Sequence, residues 1–276
     1  MRSPRRPGPT VRVDVREHGG DDGPRSHEDR VASEEPLELR LAWPGAEARR
    51  VWVTMRSPGN DFELAAGWSV HEGVAAPDAV RSVAYCTDED LTPLQEFNVV
   101  TITLDRSPDT DPSHRHTGHA TGSSACGVCG KDSIEAVLTT PRAPAWAGPE
   151  VDPDVVRSLP GRLREQQTVF AATGGVHAAG LADEAGSLLV VREDVGRHNA
   201  VDKVTGARVL AGQPAAAAAL VVSGRAGFEL VQKAVAAGVG ALVSVGAPTS
   251  LSVALAREAG LGLYGFTSER RTVRYA

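Results

Sequence analysis

The sequence predicts an α/β protein, and three observations carry that assignment. From about residue 220, short continuous apolar runs alternate with helical patterns that stop at glycine. Between residues 36 and 55, apolar and polar residues instead alternate with period two, the pattern of half-buried strands. Hydrophobic residues make up 41% of the chain and aromatic residues 4%, so a sizeable core must rest on Val, Leu and Ala.

Taken in order, residues 1–33 are rich in Arg, Pro, Gly and Asp and read as a disordered arm. Strands are expected at 36–41 and 50–55, separated by the turn formers Pro44 and Gly45. The turn at Pro58, Gly59, Asn60 and Asp61 leads into a short helix, FELAAGWSVHEG, followed by strands at 80–86 and 97–104. Cys86, at the end of the first of these, reads as a buried core thiol. Residues 105–125 form a long polar loop, a length usually reserved for function or disorder. Beyond it, residues 169–172 and 188–191 read as buried strands and 199–211 as a helix, with Asn199 as its N-cap. The strand LVVSG at 220–224 precedes a helix at 228–237 ending at Gly238. A strand at 241–245 precedes a helix at 251–259 ending at Gly260, and the last strand spans 261–266. Apolar strands joined this way form a parallel β-α-β-α-β unit buried on both faces. The expected division is an arm at 1–33, a smaller β-rich part at 34–140, and an α/β domain at 141–276.

Composition excludes several functions. With 29 basic and 35 acidic residues the net charge is −6, the wrong sign for a duplex nucleic-acid binder. No run reaches the roughly 18–20 apolar residues of a membrane span. The opening MRSPRRPGPT has no apolar stretch behind its arginines, and three cysteines make no secreted disulfide framework. A reducing cytoplasm is the expected setting. Only three of the basic residues are lysine: Lys131, Lys203 and Lys233. Sites that demand a compact ammonium would explain the exceptions, since arginine's planar fork is no substitute.

The sharpest local motif is CGVCGK, residues 126–131. Cys126 and Cys129 can share a metal, form a disulfide or relay sulfur. Asp132 and Glu135 open a helix behind them, so the thiols belong to a glycine-loosened loop. Lys131 and the helix N-terminus favour thiolate, while Asp132 opposes it. His114, His116 and His119 precede the pair, but the spacing matches no common zinc finger, and a solvated histidine loop is the plainer reading. Phosphate-type turns follow: TGGVH at 173–177, EDVGRHN at 193–199 and SGRAGFE at 223–229. Arg197 and Arg225 fall where strands end, the ligand edge of a parallel sheet, and could hold phosphates or brace the turns. His177 and His198 read equally as structural or catalytic.

Together these blocks resemble the FdhD family of sulfur carriers required for formate dehydrogenase activity. The resemblance runs from EEPLELR at residue 34 to Phe266 through VTMRSPGNDFELAAGW, SSACGVCGK, TGGVHAAGL, EDVGRHNAVDKV, SGRAGFELVQKA and APTSLSVALA. It implies a cytidine-deaminase-like α/β fold, a homodimer, and binding of bis(molybdopterin guanine dinucleotide) molybdenum cofactor as cargo, with no tightly held metal of the protein's own. It also implies that persulfide sulfur from a cysteine desulfurase passes to that cofactor before insertion into formate dehydrogenase. By resemblance the persulfide belongs to Cys126, with Cys129 as partner; spacing alone does not choose between them. The family's GFxRG-type segment implies a cofactor site at Phe266, Thr267, Ser268, Glu269, Arg270 and Arg271. Here it reads GFTSERR, with Ser268 at the usual arginine position. A nucleoside deaminase would need H-x-E and P-C-x-x-C, and neither is present. A CxxC thiol-disulfide oxidoreductase and a zinc-binding module are the remaining rivals.

Overall fold

The computed structural model describes residues 6–19, 23–88, 91–110 and 143–276. Two segments expected as part of a disordered arm instead pair as antiparallel strands, β1 (Thr10–Glu17) and β2 (Arg25–Ala32). Its antiparallel register runs from Thr10 opposite Ala32 to Glu17 opposite Arg25. Both strands are largely exposed, and cross-strand pairs such as Arg12–Glu28 (2.7 Å) and Arg25–Glu17 (3.2 Å) mark the register. Val11, Val13 and Val15 alternate along β1, but Val11 is exposed and the other two only half-buried, and β2 (RSHEDRVA) carries no apolar alternation.

The next unit is a four-stranded sheet built from β3 (Glu35–Trp43), β4 (Ala46–Arg56), β5 (Val80–Tyr85) and β6 (Val99–Leu104), in the order β4-β3-β6-β5. Leu37, Leu39 and Leu41 alternate onto one fully buried face, where they meet Val100, Ile102 and Leu104. Helix α1 (Asp61–His71) covers that face with Leu64 and Trp68. Cys86 lies just past β5, only partly buried, with its Sγ 3.6 Å from the Arg40 guanidinium. It is therefore not the core thiol expected, because the strand ends one residue earlier.

Residues 143–276 build a six-stranded mixed sheet. Its elements are α2 (Pro153–Glu165), α3 (Thr168–Thr173), β7 (His177–Ala182), β8 (Leu188–Asp194), α4 (Arg197–Leu210), β9 (Ala219–Val222), α5 (Phe228–Ala236), β10 (Ala241–Ser244), α6 (Ser250–Ala259), β11 (Gly262–Ser268) and β12 (Arg271–Arg274). The strand order is β12-β11-β10-β9-β7-β8. Strands β9, β10 and β11 are parallel, as the sequence pattern predicts, while β7, β8 and β12 join antiparallel. Leu220, Leu242 and Leu263 pack against α4, α5 and α6 on one face. Val221 and Val243 meet Val156, Leu159 and Leu163 of α2 on the other. This two-sided burial is why the strands read as unbroken apolar runs.

Two local expectations change. Residues 169–172 form α3, not a strand: the Glu193 carboxylate accepts the N–H groups of Val169 and Phe170, both at 2.8 Å, and caps the helix from a distant strand. Helix α4 starts at Arg197 with Gly196 as N-cap, so Asn199 lies inside its first turn. Its side-chain N–H groups donate instead to Met55 O (2.8 Å) and Asp194 Oδ1 (3.1 Å).

Helices α1 and α4 join the two sheets at glycine. A Cβ on Gly67 would overlap the Asp202 carbonyl, and one on Gly206 would overlap that of Glu63. The backbones can approach this closely only without side chains. Buried ion pairs surround the crossing. Lys203 Nζ lies 2.6 Å from Asp194 and donates to Ser57 O at 2.9 Å. Lys233 Nζ and His71 Nδ1 lie 2.7 and 2.6 Å from Asp202 Oδ1. Two of the three lysines are thus buried ammonium groups within the fold.

Candidate functional site

The parallel strands aim their carboxyl ends at a cavity of about 810 Å³. That volume lies within the roughly 300–1,000 Å³ usual for small-molecule pockets. Ser223 follows β9, Val245 follows β10, and Thr267, Ser268 and Glu269 come from the end of β11 and the turn beyond it. The opposite wall is the end of α2 with Gly161, Leu163, Arg164 and Gln167, then Phe170 of α3. Gly174, Gly175 and His177 close the third side. Gly174 ends α3 at φ 66° with its N–H donating to Phe170 O (2.7 Å), a left-handed cap that turns the chain into β7.

His177, on this wall, is half-buried. Burial lowers its pKa from the ordinary histidine value, and the neighbouring Arg197 and His198 lower it further. The ring is therefore held toward its neutral form, able to donate at one nitrogen and accept at the other. His198 itself is tied to Glu229, Nε2 to Oε2 2.6 Å. Ser223 Oγ accepts the Ala178 N–H at 2.9 Å, locking the start of β7 to the end of β9. The Arg164 guanidinium stacks over Phe170 at 4.1 Å, leaving a cation on the wall.

The residues singled out in the sequence distribute as follows. Thr267, Ser268 and Glu269 line the cavity, and Thr267 Oγ1 is 2.9 Å from Thr272 Oγ1 across the β11–β12 hairpin. Phe266 sits at a β-bulge with φ 50°, a left-handed conformation uncommon outside glycine. It is 42% exposed, its N–H donates to Gly246 O (3.0 Å), and Arg271 lies 5.4 Å over its ring. Arg225 is exposed on the neighbouring loop, packed so tightly that a Cβ on Gly246 would come within 2.8 Å of its Cγ. Arg197 opens α4 beside His177. Arg270 sits exposed in the β11–β12 turn and does not line the cavity. Cys126, Cys129, Lys131 and the three loop histidines lie outside the described residues. Arg164, Gln167 and Phe170 carry no motif that marks them, because only the packing of α2 and α3 brings them to the strand ends.

The sequence profile of the FdhD/NarQ family matches residues 32–276, nearly all of the chain beyond the hairpin. The chain belongs to the FdhD/NarQ family. Its relatives include proteins named sulfur carrier protein FdhD. The one from Streptomyces avermitilis is 45% identical over 253 residues, covering 86% of this chain and 84% of that protein. The one from Streptomyces coelicolor is 46% identical over 246 residues, with the same coverage. The crystal structure of a formate dehydrogenase accessory protein from Desulfotalea psychrophila superposes with a TM-score of 0.71. It is 22% identical in sequence and covers 97% of each chain, a likeness of fold. Among the described residues, no helix of this FdhD/NarQ member is long and apolar enough to cross a membrane.

Proposed function

We propose that this protein is a sulfur carrier that takes persulfide sulfur from a cysteine desulfurase and passes it to bis(molybdopterin guanine dinucleotide) molybdenum cofactor before the cofactor enters formate dehydrogenase. The observation that carries the reading is the cavity. In a chain of this family, residues 267–269 share one wall system with the Gly174–His177 turn at the carboxyl ends of parallel strands. The cargo's anionic groups fit the cations in kind: Arg164 on the wall, with Arg197 and Arg225 close by. The volume suits one nucleotide arm of such a molecule, with the remainder outside. A cytidine-deaminase-like arrangement, a homodimer and a cytoplasmic site of action belong to the same proposal; the sheet covered by helices on both faces supports the first.

The sulfur chemistry balances without an outside oxidant. The Cys126 thiolate attacks the terminal sulfur of the donor persulfide, forming a new S–S bond and expelling the donor's cysteine thiolate. When Cys129 then attacks the inner sulfur, a disulfide forms and the terminal sulfur leaves as sulfide. Two thiols lose two electrons and the sulfane sulfur gains them.

Intact mass after incubation with a cysteine desulfurase and cysteine, without added reductant, tests the first step. A gain of about 32 Da, reversed by reductant and absent in Cys126→Ala, is expected. In cells, Cys126→Ala should abolish formate dehydrogenase maturation, and normal maturation would overturn the assignment of Cys126. A loss of two hydrogens with no sulfur gained would replace the carrier by a thiol-disulfide oxidoreductase.

A further inference from the structure

Strands β1 and β2 form a sheet of only two, and among the described residues no third strand joins it. A two-stranded sheet is marginal in water and gains stability from a further strand. The end of β2 leans on the body of the chain, with Ala32 packed at Gly175, whereas β1 is held chiefly by β2. Pro9 O accepts the Ser33 N–H at 2.9 Å, which sets the alternation of the ladder. Val11, Val13 and Val15 therefore direct their backbone groups to β2. Thr10, Arg12, Asp14 and Arg16 turn theirs to the open edge.

The charges along β1 do not suit β2. Arg12 lies opposite Arg30 and Asp14 opposite Glu28, two like pairs. Arg12 escapes to a diagonal bond with Glu28 at 2.7 Å, while Asp14 and Arg16 have no ion-pair partner among the described residues. The same charges do suit a second β1. Run antiparallel about a two-fold axis at Val13, each Arg12 meets Asp14 of the second copy, Val11 meets Val15, and Val13 meets Val13. The residues with outward backbone groups then pair with one another, as the ladder requires. Neighbouring axes fail. One at Arg12 or Asp14 sets like charges face to face, and one at Val15 sets Val13 against Glu17. Charged edges ordinarily block pairing, but here the order of charges admits one register.

We infer that the outer edge of β1 is an interaction surface for a second copy of this chain, joining β1 to β1 in a four-stranded sheet β2-β1-β1-β2 that spans the two molecules. The seam gives the proposed homodimer a place on the chain and uses no residue of the cavity.

Sedimentation equilibrium of the full chain measures the association. The wild type should dimerise in a concentration-dependent way, since one strand pair is a small interface. Arg12→Asp reverses two contacts at once through the two-fold and should weaken the dimer at least about tenfold. Adding Asp14→Arg exchanges the signs and should restore the dimer, which a merely disrupted edge would not allow. Cross-linking fixes the register, in a chain whose three native cysteines are replaced by serine. Val13→Cys, on the axis in a closely spaced pair, should form a disulfide dimer when oxidised by diamide. Val11→Cys, four residues out of register with its own copy, should not. A wild-type monomer at every concentration overturns the seam and the homodimer together. A dimer that tolerates Arg12→Asp, that Asp14→Arg fails to rescue, or that cross-links through Val11→Cys as readily as through Val13→Cys overturns the seam and leaves the homodimer to another face.

Discussion

Replacing Lys203 by Met removes an ammonium that holds the two sheets together from inside. Lys203 is 1% exposed, Asp194 fully buried, and their charged atoms are 2.6 Å apart. The ammonium also donates to Ser57 O from the loop before α1. In the variant, Asp194 keeps three donors, the N–H groups of Ser57 and Gly196 and the Asn199 amide, but loses its counter-charge. Breaking a buried pair from one side costs about 3–5 kcal/mol. For a chain this size that corresponds to a fall in Tm of roughly 6–20 °C. Burial already pushes the Asp194 carboxyl up from the usual carboxylate range, with Lys203 opposing it. Without Lys203 it rises further, so the folded state holds a proton that the unfolded chain releases. Stability of the variant then falls as pH rises above the unfolded carboxylate value of about 3.9, and its deficit is smallest in acid. Urea denaturation followed by far-UV circular dichroism at several pH values measures both effects. Adding Asp194→Asn should recover about 0.5–3 kcal/mol relative to the sum of the single changes. A deficit below about 1 kcal/mol, or strict additivity in the double variant, would refute the reasoning.

Gly206→Ala forces a methyl group onto the Glu63 carbonyl and must part α1 from α4; a loss of about 1–3 kcal/mol or more is expected, read as a lower urea midpoint or loss of soluble protein. His71 and His177 have pKa values lowered chiefly by burial, so the unfolded chain binds protons that the folded chain does not. Stability therefore falls as pH drops below about 6.5, and a Tm unchanged between pH 7 and pH 5 would contradict this. Arg225→Ala should weaken GDP binding about tenfold and flatten its salt dependence, measured by calorimetry at two ionic strengths. Unchanged affinity would return Arg225 to bracing the Gly246 loop.

The parallel β9-α5-β10-α6-β11 unit was legible because its physics is local and repetitive. Two-sided burial demands unbroken apolar strands such as Ala219–Val222, and helices need a stop at Gly238 and Gly260. The alternation Leu37, Leu39, Leu41 likewise exposes a one-sided sheet. The segment at 267–269 was found through its resemblance to a family motif, and it lines the cavity. Other features depend on residues far apart in the chain, which no window of sequence brings together. Helix α3 exists where a strand was expected because Glu193 caps it across 24 residues. The pairing of β1 with β2 was not legible because the Val11, Val13, Val15 alternation sits in a segment rich in Arg, Pro, Gly and Asp, and its partner RSHEDRVA is charged and largely exposed. Lys203 and Lys233 stood out as rare lysines, but only the crossing of α1 and α4 shows them buried against Asp194 and Asp202. Gln167 is one polar residue among many in the sequence. Only the packing of α2 and α3 brings it to the cavity wall. Sequence alone determined the strands and helices of the β9–β11 unit and the strands of the smaller sheet, since periodicity and caps are properties of neighbours. Tertiary structure decided which charges are buried and which polar groups face the cavity, since desolvation depends on everything packed around them.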